Sequence, residues 1–333
     1  MLTLSEKVKA ALKDSGSLNP DVSNKAMAEL AMALQLPLRQ GILDGNILGN
    51  IFETISLADG VSPEFPLDFL SPGTEKDFIA YTIPNHGYIP QRNIEGDYVM
   101  IPMYEIGNSI DWLLKYARDA RWDIVARAME VFRAGFTKKM NDDGWHTLLA
   151  AAVDRNIVVL DSDAAAGQFT KRLVSLMKTV MRRNGGGNTT SVTRSKLTDL
   201  YVSPEAMEDI RNWNVDQIDE VTRREIFVAD GDNAINRIFG VNLHDLDELG
   251  EGQEYQLYAS SELSVTLPGS DVELVVGLDL SKRDSFVMPV RDPGIEVFPD
   301  PVMHRSRKNG IYGWISGIGF GVLDGRKIIL GSI

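Results

Sequence analysis

The 333-residue chain has no cysteine and only four histidines. Without cysteine there are no disulfides, thiolate zinc sites, iron–sulfur clusters or cysteine nucleophiles, and the composition fits a reducing compartment. His86, His146, His244 and His304 are far apart, and none stands in a spacing that marks a metal-binding helix. Basic residues are also scarce. Lysine and arginine number 34 against 47 aspartates and glutamates, a formal net charge of −13. Affinity for nucleic acid rests on counterion release by Lys and Arg, so the overall field of this chain repels phosphate. Long apolar runs are missing too. The longest weakly polar run, 311–323, has 13 residues with four glycines, too short for a membrane helix, and it reads as a buried strand. The opening MLTLSEKVKAALKDSG lacks the apolar stretch of a signal peptide, so a soluble intracellular protein is expected.

Motifs that carry chemistry are equally sparse. The glycine-rich 183–188 (RNGGGN) lacks the Gly-Lys-Ser/Thr ending of a phosphate loop. Asp230-Gly231-Asp232-Asn233 opens like a calcium loop, but Ile235 occupies the position that needs glycine and Val241 the one that needs glutamate. No Gly-x-Ser-x-Gly elbow is present. The expectation is therefore no catalytic residue, no cofactor and no metal ligand.

Apolar residues make up 44% of the chain, enough for a substantial core. Asn19-Pro20-Asp21 predicts a capped helix start, with Val22, Ala26, Leu30 and Leu34 on one face and Pro37 ending it. Gly41, Gly45, Gly49, Gly60 and Gly73 then punctuate apolar pairs such as Ile47-Leu48 and Ile51-Phe52, a pattern expected of an extended arm. The runs 78–83 (FIAYTI) and 98–101 (YVMI) predict a two-stranded ribbon with a polar tip around Asn85, Gly87, Pro90, Asn93 and Gly96. Such a ribbon is marginal alone in water and needs another surface.

Downstream, Ile124, Ala128, Val131, Phe132 and Phe136 keep helical spacing that Trp145, Leu148, Leu149 and Ala152 extend past Gly144. Phe169, Leu173, Leu176, Met177, Val180 and Met181 share the face of another helix. A strand at 197–202 precedes Ser203-Pro204-Glu205, a second capped start. Asn309-Gly310 and Asp324-Gly325 are hairpin signals and predict a closing three-strand antiparallel meander over 302–307, 311–323 and 326–333. The expected class is α+β. Charge is polarised: residues 199–254 hold 15 acidic and four basic residues, whereas 302–333 hold five basic residues against Asp324. Opposite patches of this kind steer copies of a chain together.

This order of parts resembles the major capsid proteins of tailed double-stranded DNA bacteriophages, whose fold is shared with herpesvirus capsid floors and encapsulins. The likeness is strongest at 200–207 (LYVSPEAM), similar to the strand and capped helix of that family's axial domain, and at 317–330 (GIGFGVLDGRKIIL), similar to its closing strands. The resemblance implies an N-terminal arm over 1–73, an extended loop over 74–107, and a peripheral domain with the spine helix over 108–153. It further implies an axial domain over 154–285 and a return to the peripheral domain over 286–333. It implies a structural protein, not an enzyme, that self-assembles through hexamers and pentamers into an icosahedral shell.

The implied partners are copies of itself, a separate scaffolding protein, a portal, and packaged double-stranded DNA contacted non-specifically, with no membrane. The implied location is the virion capsid, assembled in the host cytoplasm. Candidate inter-subunit contacts are Phe78, Tyr81, Ile83, His86, Tyr88, Tyr98 and Met100 on the ribbon, with Arg305 and Arg307 near the end. Copies are expected to order the first hundred or so residues by lying against one another. Two other readings stand beside this one: an encapsulin-type compartment, and a cytosolic enzyme using the carboxylates of 199–254 with a divalent ion.

Overall fold

The computed structural model describes residues 6–44, 47–66, 98–119, 121–154, 157–165, 167–184, 195–213, 237–265, 273–292, 295–300, 302 and 306–333. It divides into two compact units, each built from three separate pieces of chain.

The first unit comprises Met1–Glu64, Met100–Gly144 and Val287–Gly321. Its sheet is centred on β12 (Lys308–Ile318), which pairs antiparallel with β4 (Tyr104–Leu113) on one side and β11 (Ile295–Pro299) on the other. Alternation along β12 sends Ile311 and Ile315 inward and leaves Tyr312 and Trp314 at the surface. Helix α4 (Trp122–Asp154) enters this unit with Val125, Met129, Phe132, Phe136 and Met140 buried at steps of three and four residues. Asn108 of β4 donates its amide to the Phe132 carbonyl at 3.3 Å, tying helix to sheet. The helix has 33 residues and is about 50 Å long. It runs through Gly144, where Leu48 occupies the space that a side chain would need.

Two further helices pack in this unit, α1 (Glu6–Ser15) and α2 (Pro20–Asp44). The Asn19 side chain accepts from the Asp21 N–H at 3.1 Å and starts α2 as its sequence suggests. Helix α1 lies against α2 and against the short α3 (Leu114–Arg118), and α2 lies along β11. A 3-10 turn, Ile47–Asn50, leads to β1 (Glu53–Leu57), which pairs in parallel with β10 (Phe286–Arg291).

The second unit comprises Phe65–Val99, Trp145–Phe286 and Val322–Ile333. Its six-stranded mixed sheet runs in the order β5 (Val158–Leu160), β14 (Ile328–Ser332), β9 (Leu274–Leu278), β6 (Asp199–Val202), β8 (Val241–Asp245) and β7 (Arg237–Ile238). Helices α5 (Lys171–Asn184) and α6 (Pro204–Asn212) share one apolar cluster with it, in which Leu173, Val174 and Met177 meet Leu200, Val202, Ile210, Val275 and Ile329. Tyr201 alternates to the opposite face, where it meets Trp145 edge-on at 4.9 Å, and Trp145 stacks on Tyr255 at 5.8 Å. Tyr255 belongs to a short helix, α7 (Glu254–Leu257).

Three expectations need correction. Helix α2 does not stop at Pro37 but continues to Asp44. Leu34 and Leu38, buried on either side of the proline, hold the helix through the loss of one hydrogen bond. The apolar pairs after it are not lent outward. Leu48, Ile51 and Phe52 are all at most 1% exposed within their own unit, with Phe52 edge-on to Phe320 at 5.4 Å. The arm expected over 1–73 is thus, through Glu64, part of the first unit.

The closing meander does not form. Asn309-Gly310 lies inside β12 opposite Trp112 and Asp111, and β14 belongs to the other sheet, between β5 and β9. The Asn309 amide is buried and bonded to the Ser15 carbonyl at 2.9 Å, so it serves a distant contact in place of a turn. The closing segment 286–333 is accordingly shared between the units, with Val322–Ile333 in the second. At the base of the expected ribbon the structure shows a pairing that was not foreseen. Strand β3 (Tyr98–Met100) pairs with β2 (Glu64–Pro66), and the run 78–83 lies outside the described residues.

Candidate self-association surfaces

The ribbon root is anchored by Ile101, which is 2% exposed and donates its N–H to the Pro63 carbonyl at 3.1 Å. One step further out, alternation along β3 turns Tyr98 and Met100 to solvent, 65% and 61% exposed. Two of the expected contact residues therefore stand on one exposed face of β3. Phe78, Tyr81, Ile83, His86 and Tyr88 lie outside the described residues, as does Arg305. Arg307 is exposed, with φ 55°, and its carbonyl accepts from the Leu114 N–H at 2.9 Å, so its backbone is fixed while its side chain faces water.

The structure adds a surface absent from the sequence expectations. On the outer face of β11 and β12, Phe298 stacks on Tyr312 at 5.6 Å and meets Trp314 at 6.4 Å. The signal was the pair Tyr312 and Trp314 at strand spacing, hidden because the whole run 311–323 reads as buried on both faces.

Charge in the second unit is sorted by element. Helix α5 carries Lys171, Arg172, Lys178, Arg182 and Arg183 and no carboxylate. Glu205 and Glu208 of α6 are exposed, and Glu205 reaches the turn at Gly250 that carries Asp247, Glu248 and Glu251. Residues 214–236 of the acidic stretch lie outside the described residues.

Two carboxylates of this unit are perturbed. Burial pushes Asp199 up, but hydrogen bonds from His244, Thr198 and Asn242 outweigh it and hold the group below the ordinary aspartate range. The His244 ring sits 3.0 Å from Asp199 and stacks on Tyr201 at 4.7 Å. Glu273 is raised, first by burial, with the Ser203 hydrogen bond opposing and Glu205, Asp209 and Glu251 adding to the rise. Among the described residues no group of three or more His, Asp or Glu side chains is arranged to hold a metal ion.

No family model matches the sequence, and no curated protein matches it significantly. Solved structures do. A chain from Microbacterium phage Oxtober96 aligns over 87% of this chain and 90% of its own, with TM-score 0.59 and 10% identity. A chain of the cyanophage Pam1 capsid asymmetric unit aligns over 85% and 88%, with TM-score 0.56 and 13% identity. One from the head of Helicobacter pylori bacteriophage KHP40 aligns over 86% and 90%, with TM-score 0.54 and 10% identity. The chain has the phage capsid fold. Coverage this wide exceeds either unit alone, so the capsid fold is matched across both units and the chain order that joins them. At 10–13% identity the likeness lies in that order and not in particular side chains.

Proposed function

We propose that this chain is a structural protein whose copies assemble into the capsid shell of a tailed phage, with no catalytic role. The observation that carries the reading is the capsid fold matched over most of both chains. The first unit then corresponds to the peripheral domain with α4 as its spine, and the second to the axial domain. Tyr98, Met100 and Arg307 are contacts between copies, together with the ribbon residues Phe78, Tyr81, Ile83, His86 and Tyr88 and with Arg305. The shell encloses double-stranded DNA, which a chain of net charge −13 lets slide without sticking. A scaffolding protein and a portal act in its assembly in the host cytoplasm, and its final place is the virion.

An exposed apolar root such as Tyr98 and Met100 supports this reading, because it gains on leaving water only if another surface covers it. Subunit contacts of permanent assemblies bury roughly 2,000–5,000 Å². The test is velocity sedimentation of the purified chain, alone and co-expressed with its scaffold, followed by negative-stain microscopy. Closed shells are expected. Material that stays monomeric under both conditions overturns the reading, and small sealed spheres filled with protein cargo favour a compartment over a virion.

A further inference from the structure

Helix α5 (KRLVSLMKTVMRRN) buries Leu173, Val174, Met177 and Met181 and turns its basic residues outward. Some of that charge is already used. Arg172 pairs with Asp161 and Asp163, and Lys178 donates to the Phe239 carbonyl at 2.7 Å. Arg182 and Arg183 are exposed, and among the described residues neither pairs with a carboxylate. Cations in a last turn complement the helix dipole, which accounts for these two taken alone. It does not account for a 14-residue helix with five cations and no anion in a chain of 47 acidic residues.

The same unit displays the complement. Glu205 of α6 adjoins the turn with Asp247, Glu248 and Glu251, its carboxylate within 3.2 Å of the position a Cβ on Gly250 would take, and Glu208 is exposed three residues further along the same helix. Within α6 and residues 247–251 the only cation is Arg211.

We propose that Arg182 and Arg183 at the end of α5 dock on the acidic face of α6 and residues 247–251 of a second copy. The inference rests on the shell reading and names a contact within it. A second copy is the fitting occupant because it brings the acidic patch in equal number on the same unit, whereas a nucleic acid meets the repulsion of the whole chain. Two different patches of one subunit meeting is a head-to-tail contact, the kind that closes into rings around an axis. Between exposed charges it weakens with salt, since screening acts over about 8–10 Å.

The experiment uses two full-length variants, R182E/R183E and E208K/E251K, each checked by circular dichroism for wild-type melting. Each alone should need at least about tenfold more protein than wild type to assemble at low salt. An equimolar mixture should assemble at a lower concentration than either variant alone, because α5 of each variant meets a face of opposite sign on the other, with one like-charged contact left in a five-membered ring. If both variants assemble at the wild-type concentration, this contact is wrong and the shell reading stands. If wild type forms no shells, the shell reading fails by itself. Pairwise association of the two variants in sedimentation equilibrium then still reads the contact, and its absence overturns the proposal. Retardation of double-stranded DNA by wild type, lost in R182E/R183E, would also overturn it by making nucleic acid the occupant.

Discussion

Glu273 stands at the start of β9 with 9% of its surface exposed, and Ser203 donates a hydrogen bond to its carboxylate. The same hydroxyl accepts from the Ala206 N–H at 3.0 Å, so the cap of α6 and a buried acid share one atom. Burial and the negative neighbours Glu205, Asp209 and Glu251 raise this group above its ordinary value of 4.5. A raised acid holds a proton in the folded chain that the unfolded chain releases. Its stabilising effect is complete below the unfolded value and is lost as pH rises through the folded one. Glu273→Gln, neutral throughout, should therefore gain on wild type as pH climbs. Melting temperatures of both proteins between pH 4.5 and 8 measure this, and parallel curves would refute it.

At this scale the sequence showed only what is local. Asn19 and Ser203 cap the helices they precede because a cap bonds two or three residues on. The pair of His244 with Asp199, 45 positions apart on neighbouring strands, exists only once β6 and β8 lie parallel.

Elements show where local signals mislead. Asn309-Gly310 has the composition of a hairpin turn yet lies extended in β12, while the β7–β8 hairpin turns on Phe239-Gly240, both at positive φ (49° and 75°). Tertiary contacts decided both. Asn309 bonds the Ser15 carbonyl, which Ser23 also reaches at 2.6 Å, and this node fixes α1 and α2 to the sheet.

Beside it Gly16 packs so closely that a Cβ would sit 2.7 Å from the Arg118 backbone nitrogen. Asn309→Ala should cost about 1–3 kcal/mol by removing a buried hydrogen bond. Gly16→Ala should cost a similar amount, about 1–3 kcal/mol, because backbone cannot give way as a side-chain tip can. Urea midpoints measure the cost, and hydrogen exchange should show protection lost over residues 6–44. A helical pair that swung free as an arm would register neither change.

For the molecule as a whole, the order of helices and strands was legible because long periodic segments such as α4 and α5 announce themselves, and that order carried the likeness to the capsid fold. Which segments leave their own unit was not legible, since a glycine-broken apolar stretch looks alike whether it covers its own core or a neighbour's. Leu48, Ile51 and Phe52 chose their own core. The part of the N-terminal third proposed to reach other copies is then residues 67–97, which contain five of the proposed contact side chains. Excising residues 85–96 should leave both units folded, with unchanged melting, because Asn85, Gly87, Pro90, Asn93 and Gly96 give this stretch the polar, turn-rich composition of a loop tip. It should abolish closed shells, because the neighbour loses the surface proposed to cover it. Calorimetry and electron microscopy of the same preparation separate the two effects. Normal shells from the shortened chain would move the burden of assembly to the charged faces of the second unit and the aromatic face of β11 and β12.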